Sequence, residues 1–301
     1  MRESRESRHN SRAHEMAERV KRHCDEDEQM ILVIGVGEEG QDVIQHLSEM
    51  QLPYVRMVAL TKNETNSPLK PDLDNFPHGR PEDPFQGELL NVVAASLNEK
   101  DSFDQILNLA QIASCQDAMC LFILAMPPES AGQFAGKEAI RITESLVGMA
   151  MTVALVIPEE DKNALVPENF TEQANYLMLW AVEDVVSVVE RDYVCADLMD
   201  LISVFSRRQF FTVGQGTGCG PHCSAEALKQ AKLHLGKNSA FWPPQAIFGV
   251  VRTAQGQAIA RITPIDSLIK ELHKKASYFL KHVRSLSMGE EMRLTVFGLS
   301  P

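Results

Sequence analysis

From residue 30 onward, short apolar runs alternate with segments of helical periodicity, and this alternation limits the fold more than any other feature. The apolar runs are of strand length, and the segments between them repeat apolar side chains at three- and four-residue steps. Such alternation predicts an α/β fold with a mostly parallel, doubly wound sheet. Strands are predicted at residues 31–34, 55–60, 118–125, 151–157, 210–213, 247–252 and 293–297.

The predicted helices divide the chain into a larger and a smaller α/β part. They cover residues 41–50, 103–113, 137–148, 170–190, 225–235 and 267–283, and a proline-rich excursion occupies 63–87. The segment 170–190 has the clearest apolar stripe and separates the two parts. We therefore expect a leader at 1–28, a sheet domain at 29–168, a central helix at 169–192 and a second domain at 193–301.

Charge and composition argue against several classes of protein. The formal net charge of −12 disfavours a general nucleic-acid binder, because phosphates would be repelled. The six cysteines have no framework spacing and no apolar run is long enough to span a membrane, so we expect reduced thiols in a cytoplasm. The charged leader is interpreted either as disordered or as a basic contact for a membrane or an acidic partner.

The first chemical signal is the sequence GVGEEG at 35–40, which fits G-x-G-x-x-G between a predicted strand and a predicted helix. Gly35, Gly37 and Gly40 would let the backbone approach a pyrophosphate at the positive end of the helix. Glu38 and Glu39 lie in the same loop, and two carboxylates beside a phosphate site repel the ligand unless a cation intervenes. A nucleotide site and a purely structural turn therefore remain alternatives.

A second glycine-rich run, GQGTGCG at 214–220, is predicted to be a turn. Its composition is typical of a phosphate-binding loop, but the family resemblance described below implies a structural role, because the phosphate loop of that family precedes the long helix. Cys219, His222 and Cys223 could supply three ligands to zinc, whereas a closed site needs a fourth, so no metal site is predicted. Asp197 and Asp200 follow the long helix at a spacing that places both carboxylates on one face, where they can cap the next helix.

The order of these features resembles the FtsZ/tubulin superfamily from about residue 30 to the C-terminus. ILVIGVG at 31–37 looks like the first strand of the family, and EMRLTVFG at 291–298 looks like its closing strand. The family's N-x-D-x-x-D loop appears as CADLMD at 195–200, and 170–190 is similar to its central helix. The resemblance implies a Rossmann-like parallel-sheet N-terminal domain, a long central helix and a smaller α/β C-terminal domain.

The resemblance also implies a site for GTP or GDP with magnesium, although several positions depart from the family pattern. The implied nucleotide-binding residues are Gly35, Gly37, Gly40, Gln41, Ser130 and Asn175. MPPESAGQ at 126–133 stands where the family has M-G-G-G-T-G-T-G, so two prolines remove backbone donors and Glu129 adds a repelling charge. Tyr176 occupies the position of the acid that reads guanine in the family.

The implied function is that of a filament protein with weakened nucleotide chemistry. In FtsZ the two acids of the catalytic loop come from the next subunit, so Asp197 and Asp200 are the candidate catalytic residues, acting in trans. The expected partner is a second copy, head to tail, or an authentic FtsZ in a bacterial cytoplasm, with no nucleic acid and no membrane span. We expect filament formation or modulation with weak or absent GTP binding and hydrolysis. The alternatives are an active GTPase with rewired phosphate loops and a Rossmann-type NAD(P)-binding protein.

Overall fold

The computed structural model describes most of the chain between residues 30 and 299. The described residues are 30–50, 52, 54–60, 85, 88–98, 101–116, 118–127, 133–149, 151–157, 170–189, 196–205, 209–236, 246–254, 277–285 and 288–299. The leader, nearly all of the excursion at 63–87, Ser130 and the first part of the helix predicted at 267–283 lie outside them.

Nine strands and six helices make up the regular structure of the described residues. The strands are β1 (Ile31–Val36), β2 (Val55–Leu60), β3 (Leu90–Ser96), β4 (Cys120–Ala125), β5 (Thr152–Val156), β6 (Phe210–Cys219), β7 (Ala246–Ala254), β8 (Ser277–Ser285) and β9 (Glu291–Leu299). The helices are α1 (Gly37–Glu49), α2 (Ser102–Cys115), α3 (Gln133–Gly148), α4 (Phe170–Val186), α5 (Leu198–Phe205) and α6 (Cys223–Gly236). None of these six helices is long and apolar enough to cross a membrane.

All nine strands belong to one sheet, in the order β2-β1-β3-β4-β5-β6-β9-β7-β8. The pairs from β2 to β6 are parallel, β9 runs antiparallel between β6 and β7, and β8 is parallel to β7. Every residue of β1, β3, β4 and β5 is buried, as expected for parallel strands covered on both faces. The predicted α/β class and mostly parallel sheet are confirmed.

Helices pack on both faces of the parallel strands and form two separate cores. On one face α1 and the central helix α4 cover β1, β3 and β4, with Val43, Leu47, Met178 and Val182 in the shared core. On the other face α2 and α3 contribute Ile106, Leu109, Ile142 and Leu146. Along β1 the side chains alternate between these cores, because successive residues of a strand point to opposite faces.

Two strands differ from the sequence predictions. β3 was not predicted, and the helix predicted at 267–283 is wrong from Ser277 onward, where the chain forms β8. Tyr278 and Leu280 pack on one side of the sheet, whereas Phe279 and Val283 pack on the other. This two-residue alternation is the period of a strand, and pairing with β7 satisfies the backbone of β8.

The glycine-rich run predicted as a turn is also a strand, because most of it lies within β6. Its alternate glycines face α6: a Cβ on Gly214 would lie 2.4 Å from the carbonyl oxygen of Ala231, and one on Gly216 only 2.0 Å from that of Ala227. A Cβ on Gly218 would lie 2.1 Å from the carbonyl oxygen of Cys223. The absence of side chains at these glycines therefore lets the backbone of α6 pack directly against β6.

Buried charges join the central helix α4 to the C-terminal strands. Arg293 of β9 lies 2.6 Å from Glu183 and 2.8 Å from Asp184, both on α4. Arg252 of β7 lies 2.9 Å from Asp184 and 3.2 Å from Glu183, and it also donates to the Ser187 hydroxyl. This ion network (Glu183, Asp184, Arg252 and Arg293) fixes α4 against the strands that the sequence assigned to the second domain.

Candidate functional site

The turn from β1 into α1 is built around three glycines. Gly37 has a φ of 77°, a left-handed conformation that glycine adopts without strain. A Cβ on Gly35 would lie 2.1 Å from the carbonyl oxygen of Gly40, and one on Gly40 would lie 2.7 Å from that of Ala94 in β3. Gly35 and Gly40 therefore let α1 pack closely against the sheet, whereas Gly37 supplies the left-handed backbone conformation of the turn.

The first turn of α1 carries two carboxylates at the positive end of the helix. Glu38 is exposed, whereas Glu39 is only 7% exposed. The Oε2 atom of Glu39 is buried and has no hydrogen-bond partner among the described residues. Val36 precedes the helix in an extended conformation and provides no side-chain cap. The turn therefore carries two carboxylates, and the described residues leave the hydrogen-bonding capacity of one Glu39 oxygen unused.

The start of α4 lies at the same edge of the sheet as this turn. α1 packs against α4, and Val43 and Leu47 belong to the same core as Ala174 and Met178. Both helices follow parallel strands and run back along the sheet, so both begin at its carboxyl edge, where ligands bind in open α/β sheets. Asn175 has a buried Oδ1 atom without a hydrogen-bond partner among the described residues.

Of three further residues implied by the family resemblance, the structure describes Gln41 and Tyr176. Gln41 is half-buried on α1, directly after the glycine turn. Tyr176, which stands in place of an acid, is 56% exposed beside Asn175. Ser130 lies outside the described residues, so its relation to the turn stays a prediction.

Asp197 and Asp200 form a reciprocal cap at the start of α5. The backbone N–H of Asp200 donates to Oδ1 of Asp197 at 3.0 Å, and the backbone N–H of Asp197 donates to Oδ2 of Asp200 at 3.0 Å. The arrangement is a capping box in which an aspartate takes the usual place of a glutamate. Asp197 is exposed and Asp200 is half-buried, so neither carboxylate points into the core.

The two acids lie far from the glycine turn within one chain. α5 contacts the 3₁₀ turn Ser187–Val189 that ends the central helix. Its last carbonyl, on Phe205, accepts a hydrogen bond from Thr152 at the start of β5, which is the amino edge of the sheet. At 1.5 Å per residue, α4 alone separates Asn175 from Val186 by roughly 16 Å. By this topology the glycine turn and the start of α4 lie at one edge of the sheet, whereas α5 ends at the other.

The cysteine and histidine residues after β6 do not form a cluster with other ligands. Cys219 and His222 are exposed, while Cys223, the first residue of α6, is buried. Within the part of the chain that the structure describes, no group of three or more histidine, cysteine, aspartate or glutamate residues is arranged to hold a metal ion.

Comparison with known proteins identifies the fold through structure alone. No protein-family model matches the sequence, and no curated protein is similar enough in sequence to count as a relative. A W319Y mutant of FtsZ from M. jannaschii superposes with a TM-score of 0.77 at 14% identity, covering 94% of this chain and 95% of that one.

Two assembled proteins are also similar in structure. An empty FtsZ dimer from M. jannaschii gives a TM-score of 0.74 at 14% identity, covering 90% of this chain and 88% of that one. TubZ of Bacillus thuringiensis serovar israelensis, in GDP-form protofilaments, gives 0.62 at 12% identity, covering 91% and 89%. The chain therefore has the FtsZ/tubulin-like fold over nearly its whole length.

Proposed function

We propose that this chain is an FtsZ/tubulin-like cytoskeletal protein of the cytoplasm that forms or modulates filaments and has weak or absent GTP binding and hydrolysis. The observation that carries the proposal is the charge of the first turn of α1. The resemblance implies that this turn contacts the nucleotide phosphates, yet in this chain the turn carries Glu38 and the buried carboxylate of Glu39.

Electrostatics disfavours a nucleotide at this turn. Two unit charges 4 Å apart interact by about 1 kcal/mol in water and about 4 kcal/mol at the effective dielectric constant near a protein surface. A triphosphate beside Glu39 would meet repulsion of this order for each nearby charge pair. The α1 N-terminus offers only about half a positive charge, which one carboxylate already offsets.

Recognition of the guanine base is expected to be weakened as well. Tyr176 is largely exposed at the position that the resemblance gives to a guanine-reading acid. A phenol cannot replace a carboxylate as acceptor for two guanine N–H groups, because it offers a single oxygen. Asn175 keeps an unsatisfied buried acceptor, but an amide oxygen alone gives weaker recognition than a charged group.

The positions of Asp197 and Asp200 support a head-to-tail contact between copies. Asp197 and Asp200 cap the start of α5, whose other end lies at the amino edge of the sheet, whereas the glycine turn lies at the carboxyl edge. A contact between these two different surfaces is heterologous, and such a contact generates open filaments when its rotation does not close. The partner is a second copy or an authentic FtsZ. The proposal also divides the chain into a sheet domain at 29–168, a central helix at 169–192 and a second domain at 193–301.

Sedimentation and negative-stain electron microscopy test the filament proposal. The protein would be examined alone and mixed with an authentic FtsZ, each with and without GTP, while phosphate release is followed. We expect polymers, or changed FtsZ polymers, with no GTP turnover above background by this chain. Rapid GTP turnover by the chain alone, lost in Asp200→Asn, would instead support the active-GTPase alternative.

A further inference from the structure

Among the described residues, one edge of β6 has no neighbouring strand along its second half. β5 pairs only with residues 210–213 of β6, whereas β9 accompanies the other edge at 211–219. In an antiparallel pair, alternate residues direct their backbone N–H groups away from the partner strand. Gln215 and Thr217 direct theirs to the open edge, where α6 supplies the acceptors.

Two side chains of α6 take the place of the missing strand. The Nδ1 atom of His234 accepts the N–H of Gln215 at 3.2 Å, and Oε1 of Gln230 accepts the N–H of Thr217 at 2.9 Å. The two acceptors are separated by four residues of helix, about 6 Å, and the two donors by two residues of strand, about 6.7 Å. These lengths are similar enough for both hydrogen bonds to form together.

The glycines of β6 bring α6 within reach of these donors. A Cβ on Gly214 would lie 2.4 Å from the Ala231 carbonyl oxygen, and one on Gly216 would lie 2.0 Å from that of Ala227. Glycine has no Cβ, so the helix backbone can approach the strand at both positions. Each helix side chain then bonds to the N–H of the residue that follows a glycine.

The two acceptors respond differently to acid. The amide oxygen of Gln230 remains an acceptor throughout the physiological pH range, whereas an imidazole accepts at Nδ1 only in its neutral form. Protonation places a hydrogen on Nδ1 of His234, so that two donors face each other and the N–H of Gln215 loses its acceptor. Histidine titrates in the range between about pH 5 and pH 8. His234 is half-buried, so a proton can reach it from solvent.

The elements that pack against α6 place no carboxylate beside this imidazole. These elements are β6, β9 and the 3₁₀ turn Gly220–His222. Toward α6, β6 presents glycines and β9 presents Met292, Leu294 and Val296. The other ionisable groups of the turn and of α6 are His222 and Cys223 at the far end of the helix, and the exposed Glu226, Lys229 and Lys232. The neutral ring that accepts from Gln215 is therefore the form expected at neutral pH.

Gln215 connects this contact to the central helix. Its side-chain Nε2 donates to the Leu177 carbonyl oxygen at 3.0 Å and lies 3.4 Å from the Thr295 hydroxyl. The backbone of Gln215 is thus held by α6, while its side chain is held by α4 on the opposite face of the sheet. A change at His234 acts directly on the residue that ties β6 to α4.

We propose that His234 is a pH-sensitive latch between α6 and β6. With a neutral imidazole the latch is closed, and both N–H groups of the open edge are bonded to α6. Protonation opens it at Gln215, while Gln230 continues to hold Thr217. Acid therefore loosens the C-terminal half of α6 and leaves its N-terminal half in place. The latch lies outside the surfaces of the proposed filament function and does not depend on them.

Amide hydrogen exchange of the full chain, resolved by NMR at pH 7.5 and at pH 5.5, tests the latch. Protection of the Gln215 and Thr217 amides would be corrected for the intrinsic exchange rate at each pH. We expect protection of Gln215 to fall about tenfold, because one pH unit below a pKa of about 6.5 only roughly one ring in ten is neutral. Thr217 is the internal control, since its acceptor does not titrate, and its protection should stay nearly constant.

The position of the imidazole hydrogen is a second measurement on the same sample. Because Nδ1 accepts from Gln215, the neutral ring of His234 must carry its hydrogen on Nε2. Long-range ¹⁵N spectra of the histidine side chains at pH 7.5 distinguish the two tautomers. A hydrogen on Nδ1 would contradict the closed latch.

Variants at His234 separate the latch from a general effect of acid. In His234→Asn the amide oxygen takes nearly the place of Nδ1 and does not titrate, so Gln215 should stay protected at both pH values. His234→Phe has no acceptor and should leave Gln215 poorly protected at both. His222→Gln is the matched control, because His222 is an exposed histidine at the other end of α6, and it should behave as wild type.

Three results would overturn the latch. They are unchanged protection of Gln215 on acidification of wild type, an equal loss at Gln215 and Thr217, and a loss in His234→Asn as large as in wild type. The comparison of wild type with His234→Asn remains decisive even where His234→Phe does not fold.

Discussion

Asp184 is a fully buried acid that remains charged because of two arginines. Burial by itself raises the pKa of this carboxyl, but Arg293 and Arg252 outweigh it and hold the pKa below its usual value. The unfolded chain has an Asp pKa of about 3.9, so the network stabilises the fold above that pH. Its contribution is lost as the pH falls through the lower pKa of the folded state.

Replacing Arg293 should strongly destabilise the protein. Arg293→Met leaves Glu183 and Asp184 buried with one cation fewer, and breaking a buried pair typically costs about 3–5 kcal/mol. The substitution also removes the guanidinium that lies 5.0 Å from the Trp180 ring. Urea denaturation measures the change.

Arg141→Met is the matched control for that experiment. Arg141 pairs with Glu138 on the exposed surface of α3, where solvent screens the interaction. Its stability should stay close to wild type. An equally small loss in Arg293→Met would contradict the structural role of the buried network.

His282 should make stability depend on pH near neutrality. Burial, followed by the charges of Arg284 and Lys281, lowers the pKa of this histidine, and its Nε2 lies 2.8 Å from the Thr253 hydroxyl. Below about pH 6.5 the unfolded chain therefore binds a proton that the folded chain resists, and the free energy of unfolding falls.

Melting temperatures between pH 7.5 and pH 5.5 measure this effect. His282→Gln should flatten the decrease, whereas His46→Gln, at an exposed position on α1, should retain the wild-type slope. A decrease of the same size in His282→Gln would assign the pH dependence to other groups.

At the scale of helices and strands, the sequence predicts the elements whose apolar residues recur without interruption. The strands β1, β4 and β5 and the central helix follow from such patterns, and the spacing of Asp197 and Asp200 indicated a helix cap. β6 was recognised only in part because alternate glycines have no side chains that reveal a two-residue period. β8 was mistaken for a helix because polar residues interrupt its apolar pattern.

Some features of the candidate site could not be predicted from the sequence. The acids of the α1 turn were evident, but the burial of Glu39 was not, since it depends on how α1 packs against distant elements. The glycine-rich run at 214–220 was expected to be a structural turn rather than a phosphate loop, and most of it instead forms part of β6, where its glycines pack against α6. That distinction depends on α6, which meets β6 only after the chain has folded.

A methyl group on Gly216 tests this packing. In Gly216→Ala the new Cβ would lie 2.0 Å from the Ala227 carbonyl oxygen, so α6 must move away from β6. Overpacking of this kind typically costs about 1–3 kcal/mol, occasionally more. Chemical denaturation measures the loss.

Gly136→Ala supplies the opposite control. Gly136 lies within α3, and a Cβ there meets no atom within 4 Å. Alanine should stabilise this helix position by about 0.5–1 kcal/mol. An unchanged free energy of unfolding in Gly216→Ala would mean that α6 does not pack closely against the glycines of β6.

At the scale of the whole molecule, one sheet and one helix connect two candidate surfaces. The glycine turn and Asn175 lie at the carboxyl edge, and α4 leads from there toward the acids of α5. The ion network holds α4 against β7 and β9, so both surfaces belong to one framework. This architecture suits association between different surfaces of successive copies, while the charge of the α1 turn disfavours phosphate.

The most direct test of this account is isothermal titration of the purified protein with GTP and GDP, with and without magnesium. The account predicts no saturable heat for wild type, corresponding to dissociation constants weaker than about 1 mM, and a gain of affinity in Glu38→Gln/Glu39→Gln. Glu226→Gln, which changes an exposed acid in the first turn of α6, should remain like wild type. Saturable, magnesium-dependent binding by wild type at about 10 μM or tighter would contradict the account and favour an active GTPase.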